Sequence, residues 1–265
     1  MRRLVVFDVD GTLVDSQNMI VEAQRRTFLA HGLPVPDRAR ALSIVGLSLP
    51  EAFTALVGQG APVADLVGTY KRVFRELRHD RAFAEPLYPG VAAVLDALAV
   101  EPGMTLAIAT GKSRRGVDHM LERHGFVGRF ASIQTADDAP SKPHPAMLLQ
   151  AMHATGAAPE DTVMVGDSTF DMLMGRAAGV TALGVAWGYH APTSLREAGA
   201  VAILSQMAAL PDFLAGRDEA GAVRNDVAPG IGTCVTGGPV RQCSGAPSWP
   251  SDMLVRRVFP RPCTW

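Results

Sequence analysis

A chain of 265 residues, 48% of them hydrophobic, is long enough for one large α/β domain or a core with a small accessory subdomain. Its 25 basic and 26 acidic residues leave a formal charge of −1, which excludes any global pull toward nucleic acid or an anionic membrane. The three cysteines, Cys234, Cys243 and Cys263, all fall late and lack zinc-like spacing, so the main body carries neither a disulfide nor a thiolate site.

The first apolar run, Leu4-Val5-Val6-Phe7, is rich in branched residues and free of charge, as a strand covered on both faces should be. Asp8 ends it far short of a secretory segment, and no run of ~18 uncharged apolar residues follows, so a cytoplasmic chain without a membrane span is expected. The next residues read Asp8-Val9-Asp10-Gly11-Thr12. Strand alternation would put Asp8 and Asp10 on one side, and two neighbouring carboxylates call for a cation; oxygen-only ligands favour a hard ion such as magnesium. Gly11 supplies the backbone freedom to turn away from the pair. A helix-capping turn is the alternative, but this five-residue string should arise by chance only roughly once in a few hundred chains of this length.

From 16 to 85 no strand pattern is convincing, only helical stretches at 19–30, 50–57 and 66–78, which predicts an inserted helical subdomain. Pro86, Pro89 and Gly90 mark the return to a sheet domain made of 1–15 and 86–215. There Val91, Val94, Leu95 and Leu98 have helical spacing, and 104–109 reads as a strand followed by Thr110-Gly111-Lys112-Ser113 and another helix. A hydroxyl and free N–H groups at a helix start suit phosphate oxygens, although capping would use the same residues. Ser141-Lys142-Pro143-His144-Pro145 holds Lys142 between a fixed turn and a new helix, so that it is more rigid than a surface lysine; His144 reads as a loop residue.

A strand at 162–165 leads into Gly166-Asp167-Ser168-Thr169-Phe170-Asp171, and a short helix beginning there would set Asp167 and Asp171 on one face as a second side of the cation site. Strands at 181–186 and 200–204 complete the alternation, which predicts a parallel sheet with helices on both faces and ligands beyond the carboxyl ends of its strands. From 216 to 265 Pro and Gly crowd a stretch without period, and a mostly disordered tail is expected; the abrupt shift in composition suggests an extension foreign to the domain.

These four strand-following features resemble the motifs of the haloacid dehalogenase-like hydrolase superfamily: Asp8-Val9-Asp10-Gly11-Thr12, Thr110, Lys142 and Gly166-Asp167 with Asp171. The resemblance covers roughly the first 215 residues and implies an α/β, Rossmann-like doubly wound parallel sheet with an inserted helical cap. It further implies that Asp8 attacks phosphorus, that Asp10 protonates the leaving group and then activates water, and that Thr110 and the Gly111 backbone bind phosphoryl oxygens. Lys142 would neutralise charge. Magnesium would be held by Asp8, the main-chain carbonyl of Asp10 and Asp167, with Asp171 acting through water or from behind the ligands.

Asp10 argues against the halide-removing branch, which generally lacks that residue. Ala136-Asp137-Asp138 and Trp187-Gly188-Tyr189 look like the phosphoglycolate phosphatase group, implying a small phosphorylated metabolite as partner and a monomer or homodimer. Substrate choice should lie in the cap, at Gly46-Leu47-Ser48-Leu49-Pro50-Glu51 and at a helix carrying Lys71, Arg72, Arg75 and Arg78, whose basic face is either solvated or meets a substrate carboxylate. A phosphosugar mutase and a non-catalytic binding protein are the competing readings.

Overall fold

A computed structural model describes residues 3–220, with side chains through Gly216. Six parallel strands form one sheet in the order β3-β2-β1-β4-β5-β6: β1 Arg3–Phe7, β2 Met104–Ala109, β3 Ser132–Gln134, β4 Thr162–Gly166, β5 Thr181–Val185 and β6 Ala202–Leu204. Ten α-helices accompany them among the described residues: α1 Gln17–Ala30, α2 Arg38–Leu42, α3 Leu49–Val57, α4 Val63–Leu77, α5 Val91–Val100, α6 Arg114–His124, α7 Ala146–Thr155, α8 Thr169–Ala178, α9 Pro192–Glu197 and α10 Leu210–Ala220. The doubly wound order expected from the alternation is present, with the strand order reversing beside β1.

The charge-free strands are explained by burial on both faces. In β1, Val5 and Phe7 enter one core with α5, α6 and α10, while Leu4 and Val6 enter a second core with α7 and α8. Ile108 and Ala109, and Val165 and Met164, divide between the same two cores. Left-handed glycines Gly125, Gly156 and Gly179 end α6, α7 and α8. β3 escaped the sequence reading because three residues carry no period; Ile133 and Gln134 are strand only by pairing with Ile108 and Ala109. The helix α2 is likewise too short to show a repeat, and the 200–204 stretch narrows to β6 at Ala202–Leu204.

Between β1 and α5 lie the helices α1 to α4, of which α1, α3 and α4 overlap the helical stretches read from the sequence and α2 does not. Met19, Ala23, Phe28, Phe53, Leu66, Tyr70, Val73 and Leu77 make an apolar cluster of their own, separate from the two sheet cores. Within it Phe53 stacks near Phe28 at 6.1 Å and meets Tyr70 edge-on at 5.6 Å. Helix α4 buries Leu66, Tyr70, Val73 and Leu77 on one face, leaving its basic residues to the other. At the far end, α10 runs to Ala220, five residues into the stretch expected to be unstructured; the rest of that stretch lies outside the described residues.

Phe53→Ala should destabilise the protein by about 3–5 kcal/mol, the usual cost of deleting a fully packed aromatic side chain, with urea-induced unfolding as the measurement.

Candidate active site

Parallel register sets the site. Phe7 pairs with Ile108 and Val165, so Asp8, Thr110 and Asp167 leave the same edge of the sheet, one, two and two residues beyond that shared level. The Asp8 N–H still donates to the Val165 carbonyl at 3.0 Å, and the Thr110 N–H to Gln134 at 3.0 Å, so both residues are held by strand ladders. Strand geometry ends at Phe7, however. Gly11 turns the chain at φ 86°, and a side chain there would overlap the Asp167 carboxylate.

Asp8, Lys142, Asp167 and Asp171 are buried together. Lys142 Nζ lies 3.0 Å from Asp8 Oδ1 and donates to Asp171 Oδ1 at 2.6 Å. Asp171 is not on a shared helical face with Asp167: Ser168 caps α8, and its N–H and hydroxyl donate to Asp171 Oδ2 at 3.1 and 2.6 Å in a capping box. Asp167 stands in the turn ahead of the helix. It accepts from the Thr12 hydroxyl at 3.1 Å and from the Tyr189 N–H at 2.8 Å.

The expected carboxylate pair is arranged differently from strand alternation. Asp8, Asp167 and Asp171 each offer an oxygen, all within 4.8 Å of one another, whereas the Asp10 carboxylate is outside this group. Asp10 Oδ1 instead accepts from Lys112 Nζ at 2.8 Å and from the Ser16 hydroxyl at 2.7 Å. Lys112 also lies 3.0 Å from Glu85, and Ser16 is bonded to the Tyr189 hydroxyl at 3.1 Å. Lys112, Ser16, Glu85 and Tyr189 were not singled out as site residues from sequence. Lys112 and Tyr189 stood inside the quoted strings, but their partners are 102 and 173 residues away in the chain.

Electrostatically, burial pushes the Asp8 carboxyl up from 3.8 to about 6, with Lys142 opposing and Asp171 adding to the rise. Burial also drives Asp167 well above the usual carboxylate range, reinforced by the charges of Asp8 and Asp171. For Lys142 burial works against the charge, but Asp171 and Asp8 outweigh it and raise its pKa. Asp8 Oδ2 is buried without any hydrogen-bond partner. An orphaned carboxylate oxygen beside two further carboxylates, all oxygen donors, fits a hard divalent cation.

A cavity of about 360 Å³ opens onto this edge, with Asp8, Asp10, Thr110 and Gly111 in its wall. Helices α1, α3 and α4 and the loop after α2 close it from the other side, through Gly46, Leu47 and Leu49 among others. Gly111 is needed there: a Cβ would stand 2.5 Å from the carbonyl oxygens of Gly46 and Leu47. The Ser141 hydroxyl accepts from the Ser48 N–H at 2.8 Å, tying the same loop to the residue before Lys142.

A haloacid dehalogenase-like hydrolase family model matches residues 5–185, and the chain belongs to that family. It is 40% identical over 202 residues to "Probable phosphatase IndB" of Dickeya dadantii, covering 75% of this chain and 87% of that one. It is 32% identical over 222 residues to a phosphoglycolate phosphatase of Rhodospirillum rubrum, covering 81% and 91%. A solved hydrolase from Pseudomonas syringae superposes with a TM-score of 0.72 over 81% of this chain and 99% of that one; at 24% identity the likeness is one of fold.

The raised pKa of the Asp8 carboxyl couples the protein's stability to pH. The folded protein holds that proton more tightly than the unfolded chain, so without metal stability falls as pH rises from 3.8 to about 6. A divalent cation held by these carboxylates would compete with the proton and compensate the ionised group. Any rise in melting temperature on adding magnesium, measured against EDTA, should therefore be small at pH 5 and larger at pH 7.5.

Proposed function

We propose that the chain is a magnesium-dependent phosphatase hydrolysing a small phosphate monoester through an aspartyl-phosphate on Asp8. The observation that carries this reading is Asp8 itself: one oxygen is anchored by the Val9 N–H at 2.7 Å and by Lys142, while the other has no partner in a wall of the cavity. A carboxylate so placed is poised to react or to ligate, and splitting hydrolysis into two displacements is the gain of covalent catalysis.

In the first displacement the Asp8 carboxylate attacks phosphorus and the ester P–O bond breaks, with Asp10 giving its proton to the departing oxygen. In the second, Asp10 takes a proton from water, which attacks the same phosphorus and releases Asp8 and inorganic phosphate. Both observed bonds to Asp10 go to Oδ1, so Oδ2 is the oxygen left to carry that proton. The Thr110 hydroxyl and the Gly111 backbone would receive the phosphoryl oxygens beside Asp8, and Lys142 would offset charge accumulating there.

Asp8, the Asp10 main-chain carbonyl and Asp167 would hold magnesium, with Asp171, already engaged by Lys142 and Ser168, behind them. When bound, the ion supplies charge neutralisation for the phosphoryl group and for the carboxylates. The Rhodospirillum relative supports 2-phosphoglycolate as a candidate ester.

Phosphate release from a panel of small monoesters, with and without magnesium, tests the reading. Asp8→Asn should keep the fold and lower turnover at least about 10³-fold, as expected when a nucleophile is removed; comparable activity in that variant would refute the covalent route.

A further inference from the structure

Four buried side-chain polar atoms lack a hydrogen bond among the described residues, and three of them, Asp8 Oδ2, Gln24 Oε1 and Arg78 Nε, belong to residues lining the one cavity at the sheet edge. Asp8 belongs to the chemistry proposed above. Arg78 has no such role; the side chain is partly exposed, but its Nε is buried without a partner, which is costly for a donor on a charged group.

The charges around it do not balance. Of the acidic residues in the cavity wall, Asp8 is met by Lys142 and Asp10 by Lys112, and Asp137 accepts from the Arg114 backbone N–H at 2.8 Å. Of the basic ones, Lys71, Arg75, Arg78 and Arg115 have no carboxylate within ion-pair distance among the described residues. A second cleft of about 590 Å³ shares Arg75, Arg78 and Arg115 with the first and adds His79 and His119; its one acidic lining residue, Glu76, lies 3.5 Å from Arg72. Basic residues of α4 thus oppose Arg115 of α6 where the two spaces join. Burial works against the charge of Arg78; Glu85 and, more weakly, Asp10 favour it and Arg115 opposes it, and the balance leaves its pKa lowered.

Position relates this cluster to the leaving group. The Phe74 ring carries the Arg78 guanidinium at 5.4 Å and Lys112 Nζ at 5.2 Å, and Lys112 is the cation bonded to Asp10. Arg78 therefore shares the Phe74 ring with the lysine bonded to Asp10, the residue assigned to protonate the leaving oxygen. A guanidinium stacked on a ring keeps its in-plane N–H groups for a carboxylate or phosphate.

We infer that the leaving group of the natural ester carries a second anionic group, a carboxylate or a second phosphate, bound between Arg78 of the helical insertion and Arg115 of the sheet domain. The inference rests on the phosphatase reading for the word "leaving" but on the unmatched cations for the anion. It narrows the substrate class: neutral alkyl and polyol monophosphates are excluded as preferred substrates.

The test uses the full chain and two matched ester pairs: 2-phosphoglycolate against 2-hydroxyethyl phosphate, and propane-1,3-diol bisphosphate against its monophosphate. Turnover is measured with magnesium, and binding by calorimetry in EDTA, where no turnover is needed. The anionic member should be favoured at least about tenfold in kcat/KM or Kd in one pair, the scale of a charge-assisted contact, and the favoured pair identifies carboxylate or phosphate as the anion. Arg78→Gln and Arg115→Gln should each lower that ratio by about fivefold or more, with Arg78→Lys recovering part of it. Equal use and binding of charged and neutral members, or an equal loss on both in folded variants, would overturn the inference. Anion-selective binding lost in Arg78→Gln, with no phosphate released from any ester, would uphold the anion site and overturn the phosphatase reading instead.

Discussion

Lys142 sits with no exposed side-chain surface between Asp8 and Asp171, and the edge of the sheet is organised around that contact. Three buried carboxylates face one ammonium, an arrangement that desolvation would disfavour unless every group were held and partnered. The partners come from separate turns: Val9 for Asp8, Ser168 for Asp171, Thr12 and Tyr189 for Asp167. Asp8 Oδ2 alone among these carboxylate oxygens is buried without a partner, so the charge imbalance is concentrated where a cation and a phosphoryl group would meet.

A second buried charge group, Asp10–Lys112–Glu85, plays the corresponding part between the sheet domain and the helical insertion. Glu85 stands where the chain returns from the helices, and Lys112 follows β2, so the ion pair closes one side of the cavity while orienting Asp10. The Trp187-Gly188-Tyr189 string links both groups. Trp187 Nε1 donates to the Thr12 carbonyl at 3.2 Å, the Tyr189 N–H holds Asp167, and the Tyr189 hydroxyl reaches Ser16 beside Asp10. A sequence signature of a phosphatase group thus acquires a physical task, that of fixing the turn after β1.

The helical insertion contributes a different chemistry. Its own aromatic cluster lets it pack without drawing on the sheet cores, and on its exposed basic face Lys71 and Arg75, with Arg78, line the cavity. The Gly46–Ser48 loop meets Gly111 and Ser141 so closely that cavity shape depends on backbone contact between the two parts. On the proposed reading the strand ends would receive the phosphoryl group, and the helices opposite them would meet what it is attached to.

What the sequence determined by itself was local. Branched, charge-free runs marked five strands because burial on both faces forbids charge; turn residues after four features marked the candidate site; and the absence of strand pattern from 16 to 85 marked the helical insertion. Tertiary structure decided which charge meets which. Strand alternation would set the Asp10 carboxylate beside that of Asp8, yet the strand ends at Phe7 and the Asp10 carboxylate meets Lys112 instead, leaving its main-chain carbonyl for the role proposed above. Lys142 finds Asp171 across 29 residues, Tyr189 finds Asp167 across 22, and β3 exists only through its pairing with β2. Period and turn chemistry are written in neighbouring residues, whereas ion pairing in a buried site depends on distances that only the packed sheet and its opposing helices set.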